Sequence, residues 1–288
     1  MNIIVDAGGQ TCNRFFEYIY YLKRSILYHE KLKVLIPDIT IEDYPNLKNN
    51  KYINFPLYHS YISKVIGVKN NIKYITILKK ILINRYFQPI YYYLSFKRWN
   101  FVVGQAKWLE DEDYSIIRPI LKEIFLPKQN IINKIDKIFK TIPHNCIIIG
   151  VHIRWGDYKF WKNGKYYFTE DIYSQYMHAI AKQINSPNTY FYIATNGNLN
   201  HNSFKSLNCL RINQATATED LYALSKCDYI IGPPSSYSTW VSLVYNIPMY
   251  CIENKEDYNT ISIKQFSPSK NFQYKENNYM FPRGLKSI

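Results

Sequence analysis

The first forty residues of the chain alternate between short apolar runs and one longer stretch of helical periodicity. Asn2 to Asp6 is an apolar run that ends at two glycines, and from Asn13 to His29 the apolar residues recur at helical spacing. Leu32 to Ile36 is a second apolar run, closed by a proline. Because a strand, a glycine turn, a helix and a strand in this order form a βαβ unit, the pattern predicts a parallel sheet.

The same alternation begins again after a basic helical stretch near Asn130 to Lys140. Pro143 disfavours helix at the residue before it, so we place a domain boundary there, with residues 1–143 and 144–288 as the two domains. Four strands and three helices then alternate, which indicates a second doubly wound α/β unit. The strands are predicted at Cys146–Ile153, Thr189–Ala194, Tyr229–Ile231 and Met249–Ile252, and the helices at Asp171–Ile184, Thr218–Ser225 and Ser238–Tyr245.

Composition limits the class of protein. With 47% hydrophobic and 20% charged residues, the 288-residue chain is neither disordered nor collagen-like. A net charge of +14 should attract nucleic acid, anionic lipid or phosphorylated small molecules, without choosing among them. Five scattered cysteines predict a reducing compartment and no structural metal. We find no signal-peptide pattern and no run long enough to span a membrane, so we expect a cytoplasmic protein with at most peripheral membrane contact.

Polar residues follow the predicted strand that ends at Ile153. His152, Arg154 and Asp157 fall within six positions, and Gly156 permits a turn between them. Ligands of open α/β sheets bind at the carboxyl ends of the strands, where Arg154 could hold a phosphate and Asp157 could orient it or act as a base. A structural ion pair at a domain edge is the alternative, and the residues alone leave both open.

A second predicted strand ends at Gly232 and leads into a hydroxyl-rich helix start. Backbone N–H groups and hydroxyls could converge there on an anion, whereas ordinary N-capping needs only one hydroxyl. Asp228, ahead of this strand, could accept a hydrogen bond from a guanine edge or be a solvated loop carboxylate. The residues of the helix start are Ser235, Ser236, Tyr237, Ser238 and Thr239.

Two weaker signals lie in the first half. The glycine turn is not a dinucleotide fingerprint, although Gly9, Asn13 and Arg14 could face a ligand across a cleft. Residues 111–113 spell D-x-D, a pattern with which some glycosyltransferases hold a divalent metal. Without a preceding apolar strand, we interpret it as a solvated face or a helix start, and we expect no metal site.

Taken in order, these stretches resemble the fucosyltransferases that share an H-x-R-x-G-D motif. The bacterial α-1,2-fucosyltransferases, glycosyltransferase family 11, are the closest in pattern, and the protein O-fucosyltransferases are also similar. Residues 152–158 resemble H-[VI]-R-R-G-D-Y, and residues 220–240 resemble D-L-x-L-x-x-x-C-x-x-x-I-x-x-x-S-S-F-S-x-W. Residues 171–176 and 190–196 resemble the helix and strand between them, whereas the middle of the first half has no match.

The resemblance implies a GT-B architecture, two Rossmann-like domains facing across a cleft, with a GDP-sugar held mainly by the second. It implies inverting transfer of L-fucose from GDP-fucose to an oligosaccharide, α-1,2 to galactose, in bacterial surface polysaccharide (O-antigen, lipopolysaccharide) synthesis. No cofactor or metal is implied beyond the donor itself. Arg154 would meet the β-phosphate, Asp228 the guanine, and residues 235–239 the phosphates. The remaining residues assigned to the donor site are His152, Asn196 and Asp220.

Three positions depart from the family pattern. Cys12 precedes Asn13 where the family turn is G-x-G-N-[QR], which puts the roles of Gly9 and Asn13 in question. Trp155 replaces a second arginine, and Asn196 replaces an aspartate. Arg154 is therefore the only cation that the motif retains beside a phosphate.

Other functions remain open at this point. A GT-B transferase that uses another GDP-sugar would share the phosphate and guanine sites. A basic nucleic-acid-binding protein is the alternative from a different class, but we expect no nucleic-acid partner because no recognition motif accompanies the charge. The basic and aromatic stretch Tyr61–Arg98 could hold the protein on an anionic membrane surface, where a lipid-linked acceptor would lie, or it could be a solvated face.

Overall fold

The computed structural model describes residues 1–7, 10–36, 39–56, 99–104, 113–184, 188–200 and 203–269, together with a few single positions between 84 and 93. The chain divides into two compact units between Leu126 and Pro127. No helix in the described ranges is long and apolar enough to cross a membrane. The stretch Tyr61–Arg98 that we considered for membrane contact lies almost entirely outside the described residues.

The first unit contains a parallel sheet in the order β3-β2-β1-β4. The predicted strand–helix–strand opening is confirmed, and the helix buries Phe15, Ile19 and Leu22 completely. The strands are β1 Asn2–Ala7, β2 Leu32–Ile36, β3 Ile53–Asn54 and β4 Asn100–Gly104, and the helices are α1 Thr11–Tyr28, α2 Pro45–Lys48 and α3 Arg118–Ile124.

The second unit contains a six-stranded sheet in the order β10-β9-β8-β5-β6-β7. All neighbours pair in parallel except β10 with β9. The strands are β5 Ile147–Ile153, β6 Thr189–Thr195, β7 Asn208–Leu210, β8 Tyr229–Gly232, β9 Pro248–Cys251 and β10 Ser267–Pro268. The helices are α4 Gln129–Phe139, α5 Glu170–Ile184, α6 Ala217–Leu224 and α7 Ser236–Tyr245.

Counted along the chain from the first strand of this unit, the sheet reads 3-2-1-4-5-6, which is the order of Rossmann folds. The order reverses between β5 and β8, so this pair is the switch point of the sheet. Strand β5 is an apolar run interrupted only by the buried His152, and its Ile149, Val151 and Ile153 are fully buried. Such runs are typical of strands covered on both faces. The predicted doubly wound unit is therefore confirmed.

Helix α4 belongs to the second unit, although the sequence places it before the predicted boundary at Pro143. The Lys134 ammonium forms an ion pair with Glu219 of α6, and the rings of Phe139 and Tyr192 lie 5.5 Å apart. The two compact units divide between Leu126 and Pro127, ahead of this helix. Pro143 follows the end of helix α4 and marks where the helix stops. The packing of α4 against α6 and β6, however, decides which unit the helix joins.

A buried carboxyl–hydroxyl pair joins α6 to β6. The Asp220 side chain accepts a hydrogen bond from the Tyr192 hydroxyl, and Asp220 is only 7% exposed. Burial raises the pKa of Asp220 to about 7, and the negative charge of Glu219 adds to this effect. The Tyr192 hydrogen bond and the positive charge of Arg211 oppose the rise. The second unit therefore folds around a carboxyl group whose protonated form burial favours up to about pH 7.

This carboxyl group should make stability depend on pH. Because its pKa in the folded chain, about 7, exceeds the ordinary value of 3.8, its stabilising contribution is complete below pH 4 and is lost as the pH rises to 7. Asp220→Asn should therefore gain melting temperature relative to the wild type across this range. Thermal melts at pH 4, 5, 6 and 7 measure the difference, with Asp228→Asn as a control at an exposed aspartate. A difference that does not change with pH would contradict this assignment.

Candidate functional site

The candidate site lies at the switch point, where the carboxyl ends of β5 and β8 are side by side. Val151 is in register with Ile231, and the chain leaves the two strands into Arg154 and Ser235, respectively. Gly232 permits this approach, because a Cβ there would lie 2.9 Å from the carbonyl oxygen of His152. In doubly wound sheets, the ligand crevice opens at this point.

The Arg154 side chain is held by its own loop. Its Nη2 atom lies 2.7 Å from Asp157 Oδ1, and the guanidinium carbon lies 5.6 Å from the centre of the Tyr158 ring. The Tyr158 hydroxyl donates to the carbonyl of Pro234 at 2.5 Å, which ties this loop to the segment ahead of α7. Gly156 makes the turn with a φ of 63°, in the left-handed region. The positive charge is thereby fixed near the start of α7.

His152 is a structural neighbour of that charge. It is 5% exposed, its Nδ1 lies 3.3 Å from Ser238 Oγ, and its ring packs 5.0 Å from the Tyr237 ring. Burial, assisted by the charge of Arg154, lowers the pKa of His152 to about 3. The imidazole is therefore neutral at physiological pH, and it anchors the first turn of α7 without adding a cation.

The hydroxyl-rich start of α7 divides its side chains between capping, packing and exposure. Ser235 is the N-cap, and its Oγ accepts from the Tyr237 N–H at 3.2 Å. Ser238 is fully buried, Thr239 is nearly so, and Ser236 is half-buried. The backbone N–H groups of Ser236 and Ser238 still lie in the first turn, where no helical carbonyl is in reach. An anion would therefore meet N–H groups more than the run of hydroxyls that the sequence suggested.

Asn196 lies at the same edge of the sheet but serves the loop. Its Oδ1 accepts from the Trp155 N–H at 2.9 Å, and the Trp155 indole N–H donates to the carbonyl of Phe168 at 2.8 Å. A Cβ on Gly197 would lie 2.3 Å from the Trp155 ring. The two departures from the family pattern in this region, Trp155 and Asn196, are thus in contact with each other.

Asp228 is not brought to this edge. Its Oδ2 accepts from the N–H of Ile148 at 2.8 Å, and its own N–H donates to the carbonyl of Ile148 at 2.8 Å. Ile148 is near the beginning of β5, so Asp228 lies at the amino edge of the sheet. Four residues of β8, at about 3.3 Å each, separate it by roughly 13 Å from the end of the strand. This placement argues against the guanine role that the resemblance implied for Asp228.

Asp220 lies nearer to the carboxyl edge. It is in the first helical turns of α6, and the carbonyl of Ala217 at the start of this helix accepts from the Tyr237 hydroxyl at 2.6 Å. The starts of α6 and α7 are therefore adjacent. The Asp220 side chain points into the interior toward Tyr192 of β6, so its carboxyl group is not exposed at the carboxyl edge of the sheet.

The predicted residues of the first unit are described in part. Asn13 and Arg14 lie half-buried in the first turn of α1, where the Arg14 N–H donates to the carbonyl of Gln10 at 3.2 Å. Gly9 lies outside the described residues. The placement of α1 directly after β1 agrees with the predicted turn into a helix.

The D-x-D stretch is described only at Asp113. Its carboxylate accepts from the N–H and the hydroxyl of Ser115 at 2.8 and 2.9 Å, and these hydrogen bonds lower the pKa of Asp113. A short helical turn begins at Ser115, so Asp113 marks a helix start as the sequence suggested. In the described part of the chain, no group of three or more His, Cys, Asp or Glu side chains could hold a metal ion.

Two residues of this edge escaped the sequence analysis. Arg211 follows β7, and its Nη2 donates to the carbonyl of Gly197 at 3.0 Å. Tyr158 bridges to Pro234 as described above. Strand β7 has only three residues, two of them exposed, and so gave no apolar run from which Arg211 could be placed. Tyr158 was visible only as the last letter of a motif.

No protein-family model and no curated protein matches the sequence. Solved structures do match the fold. Fucosyltransferase NodZ from Bradyrhizobium superposes with a TM-score of 0.50 at 14% identity, over 88% of this chain and 98% of that one. POFUT1 in complex with GDP gives 0.51 at 10% identity, over 87% and 98%. A variant of Arabidopsis thaliana FUT1 in complex with GDP gives 0.54 at 10% identity, over 95% and 75%. The predicted fold class, α/β with two Rossmann-like units of GT-B type, is therefore confirmed.

Proposed function

We propose that this protein is an inverting glycosyltransferase that moves fucose from GDP-fucose to a hydroxyl group of a saccharide. The observation that carries the proposal is the guanidinium of Arg154, which follows β5 and pairs with Asp157 in a loop that Tyr158 ties to Pro234 ahead of α7. Proteins of the same fold, NodZ, POFUT1 and FUT1, are fucosyltransferases by name, and the last two are described with GDP bound. The motif order in residues 152–240 supports the same assignment.

The donor's diphosphate would lie between Arg154 and α7. A helix N-terminus presents N–H groups and a partial positive charge, and a guanidinium can offer two parallel hydrogen bonds. The Asp157 carboxylate lies 2.7 Å from the Arg154 guanidinium, and the Asp157 side chain is 57% exposed. In this proposal Asp157 therefore positions the guanidinium and does not occupy the buried place that the phosphate would take. His152 and Ser235 hold the start of α7 in place.

The chemistry follows from this arrangement. As the bond between the sugar's anomeric carbon and the phosphate oxygen breaks, the electron pair stays with GDP and the sugar gains oxocarbenium character. The acceptor hydroxyl oxygen attacks the anomeric carbon from the opposite face and forms the new glycosidic bond, and its proton passes to water. A fixed guanidinium beside the departing GDP stabilises the transition state more than the ground state, because negative charge develops there.

The finer assignment rests on the motif resemblance alone. We propose that the linkage is α-1,2 to galactose and that the product belongs to a bacterial surface polysaccharide. The acceptor would then be attached to a lipid carrier at the inner membrane, where the protein would act from the cytoplasm. A transferase that uses another GDP-sugar would share the same phosphate contacts and differ only around the sugar ring.

Incubation of the full chain with GDP-fucose and a panel of galactosides tests the function. We expect GDP release together with a fucosylated product, and a lower rate with GDP-mannose. A GDP-mannose rate above that of GDP-fucose would move the assignment to another GDP-sugar. No release of GDP with any nucleotide sugar would contradict the transferase proposal.

Arg154→Ala should reduce kcat by about 100- to 1000-fold, equivalent to roughly 3 kcal/mol or more, because one fixed cation is lost from the transition state. Steady-state kinetics with GDP-fucose measure the effect, and circular dichroism checks the fold. Asp228→Asn is the matched control. It should keep kcat and KM near those of the wild type, because Asp228 lies at the opposite edge of the sheet. A near wild-type Arg154→Ala enzyme would remove Arg154 from the mechanism.

Turnover should persist in excess EDTA, because in this proposal Arg154 and the start of α7 supply the positive field at the diphosphate. The assay compares initial rates in EDTA, in Mg²⁺ and in Mn²⁺. If chelation stops turnover and Mn²⁺ restores it, a metal holds the diphosphate, and the acidic residues 111–113 return as candidates.

A further inference from the structure

The loop between β5 and α5 has a composition that donor binding does not explain. Residues 155–168 contain seven aromatic side chains and three lysines in fourteen positions. The only acidic residue among them, Asp157, forms an ion pair with Arg154. We call these residues the aromatic–basic loop.

The aromatic–basic loop has a defined shape. The Trp161 ring packs between Tyr158 and Tyr166, with ring centres 4.6 and 5.5 Å away. Lys162 and Asn163 both adopt left-handed φ angles, 47° and 55°, a region that a lysine rarely enters and that asparagine tolerates better. The Lys165 N–H donates to the carbonyl of Lys162 at 3.2 Å and closes this turn. These packed, mutually tilted rings and the closed turn form what we call the platform.

The platform pairs aromatic rings with cations. Phe160 is 79% exposed, the largest exposed fraction of any large apolar side chain among the described residues. The Lys159 ammonium lies 5.9 Å from the centre of the Phe160 ring. In the same way, Lys162 lies 5.8 Å from Trp161, and the third lysine of the loop lies 5.2 Å from the Tyr166 ring. An exposed apolar surface with surrounding cations is typical of an interaction site for an anionic partner.

We propose that the aromatic–basic loop binds the acceptor and that this acceptor is an oligosaccharide bearing carboxylate groups. The proposal rests on the proposed function and adds the substrate class. The apolar C–H faces of sugar rings can pack on exposed aromatic faces, and carboxylates can pair with the ammonium groups beside them. The three lysines lie over three different rings. The positive charge is therefore distributed along the loop, as a saccharide with charged rings requires.

The position of the loop supports an acceptor. It begins directly after Arg154, and the Tyr158 hydroxyl bonds to Pro234 ahead of α7. A saccharide on the platform would thus lie beside the donor's phosphates, where an attacking hydroxyl has to approach. A single-stranded nucleic acid could also bind to aromatic rings and cations. Its binding, however, would not require a position beside the donor's phosphates.

The test uses a tetrasaccharide that contains one glucuronate and the same tetrasaccharide with that carboxylate reduced to an alcohol. Calorimetry on the full chain should show at least about tenfold tighter binding of the charged form, the worth of one charge-assisted contact. Lys159→Gln/Lys162→Gln/Lys165→Gln should lose this preference. Phe160→Ala should weaken both forms, because it removes a packing surface. The charge-matched control is Lys137→Gln/Lys182→Gln/Lys264→Gln, which alters exposed lysines elsewhere in the second unit and should change nothing.

The affinity for GDP, measured in the same samples, separates this proposal from the proposed function. The loop variants should bind GDP within about threefold of the wild type. Equal affinity for the two tetrasaccharides, in a protein that binds GDP, would overturn the acidic acceptor and leave the transferase standing. If the wild type does not bind GDP but prefers the charged tetrasaccharide, the transferase proposal would be overturned and the binding of an acidic saccharide would stand. Tighter binding of a uridylate 20-mer that the loop variants abolish would assign the loop to nucleic acid instead.

Discussion

The parallel pairing of β5 with β8 determines where chemistry can take place in this protein. Ile149, Gly150 and Val151 are in register with Tyr229, Ile230 and Ile231, so both strands end at the same edge of the sheet. Gly232 lets the backbones approach closely there. With a different register or a larger residue at that position, Arg154 and the start of α7 would no longer be neighbours. The remaining contacts of the edge depend on this pairing.

The electrostatics of the edge follow from burial. His152 contacts Ser238 at the start of α7 but is too buried to carry a second positive charge, so Arg154 is the cation that the motif supplies. Asp157 stabilises that guanidinium from its exposed side. The same desolvation raises the pKa of Asp220, in the interior next to β6, to about 7. Arg154, paired with Asp157, is thus the cation of this edge, and the N–H groups at the start of α7 add a partial positive charge that suits a diphosphate.

Much of this architecture could be predicted from the sequence, because parallel strands buried on both faces are written as unbroken apolar runs. Strands β5, β6, β8 and β9 were found within one or two residues of their ends. The short strands β3, β7 and β10 were not, because two or three residues make no periodic signal and their pairing is decided by neighbours distant in sequence.

The site was predicted less completely, because the sequence does not show at which edge of the sheet a residue lies or in which direction its side chain points. A residue before a strand and a residue after it are close in sequence but lie at opposite edges of the sheet, and this places Asp228 away from Arg154. The sequence analysis treated the hydroxyl groups of residues 235–239 as one set facing a ligand. In the helix, successive residues point in different directions, and Ser238 is directed inward to His152. The contact between Trp155 and Asn196 joins loops forty-one residues apart and has no local signal.

Hydrogen exchange of the full chain with and without GDP tests the central claim most directly. The account predicts that saturating GDP slows exchange in residues 154–158 and 235–240, at the carboxyl ends of β5 and β8. Residues 145–148 and 226–228, at the amino ends of the same strands, should exchange at unchanged rates. Protection confined to the amino edge, or absent from both strand ends in a protein that binds GDP, would contradict it.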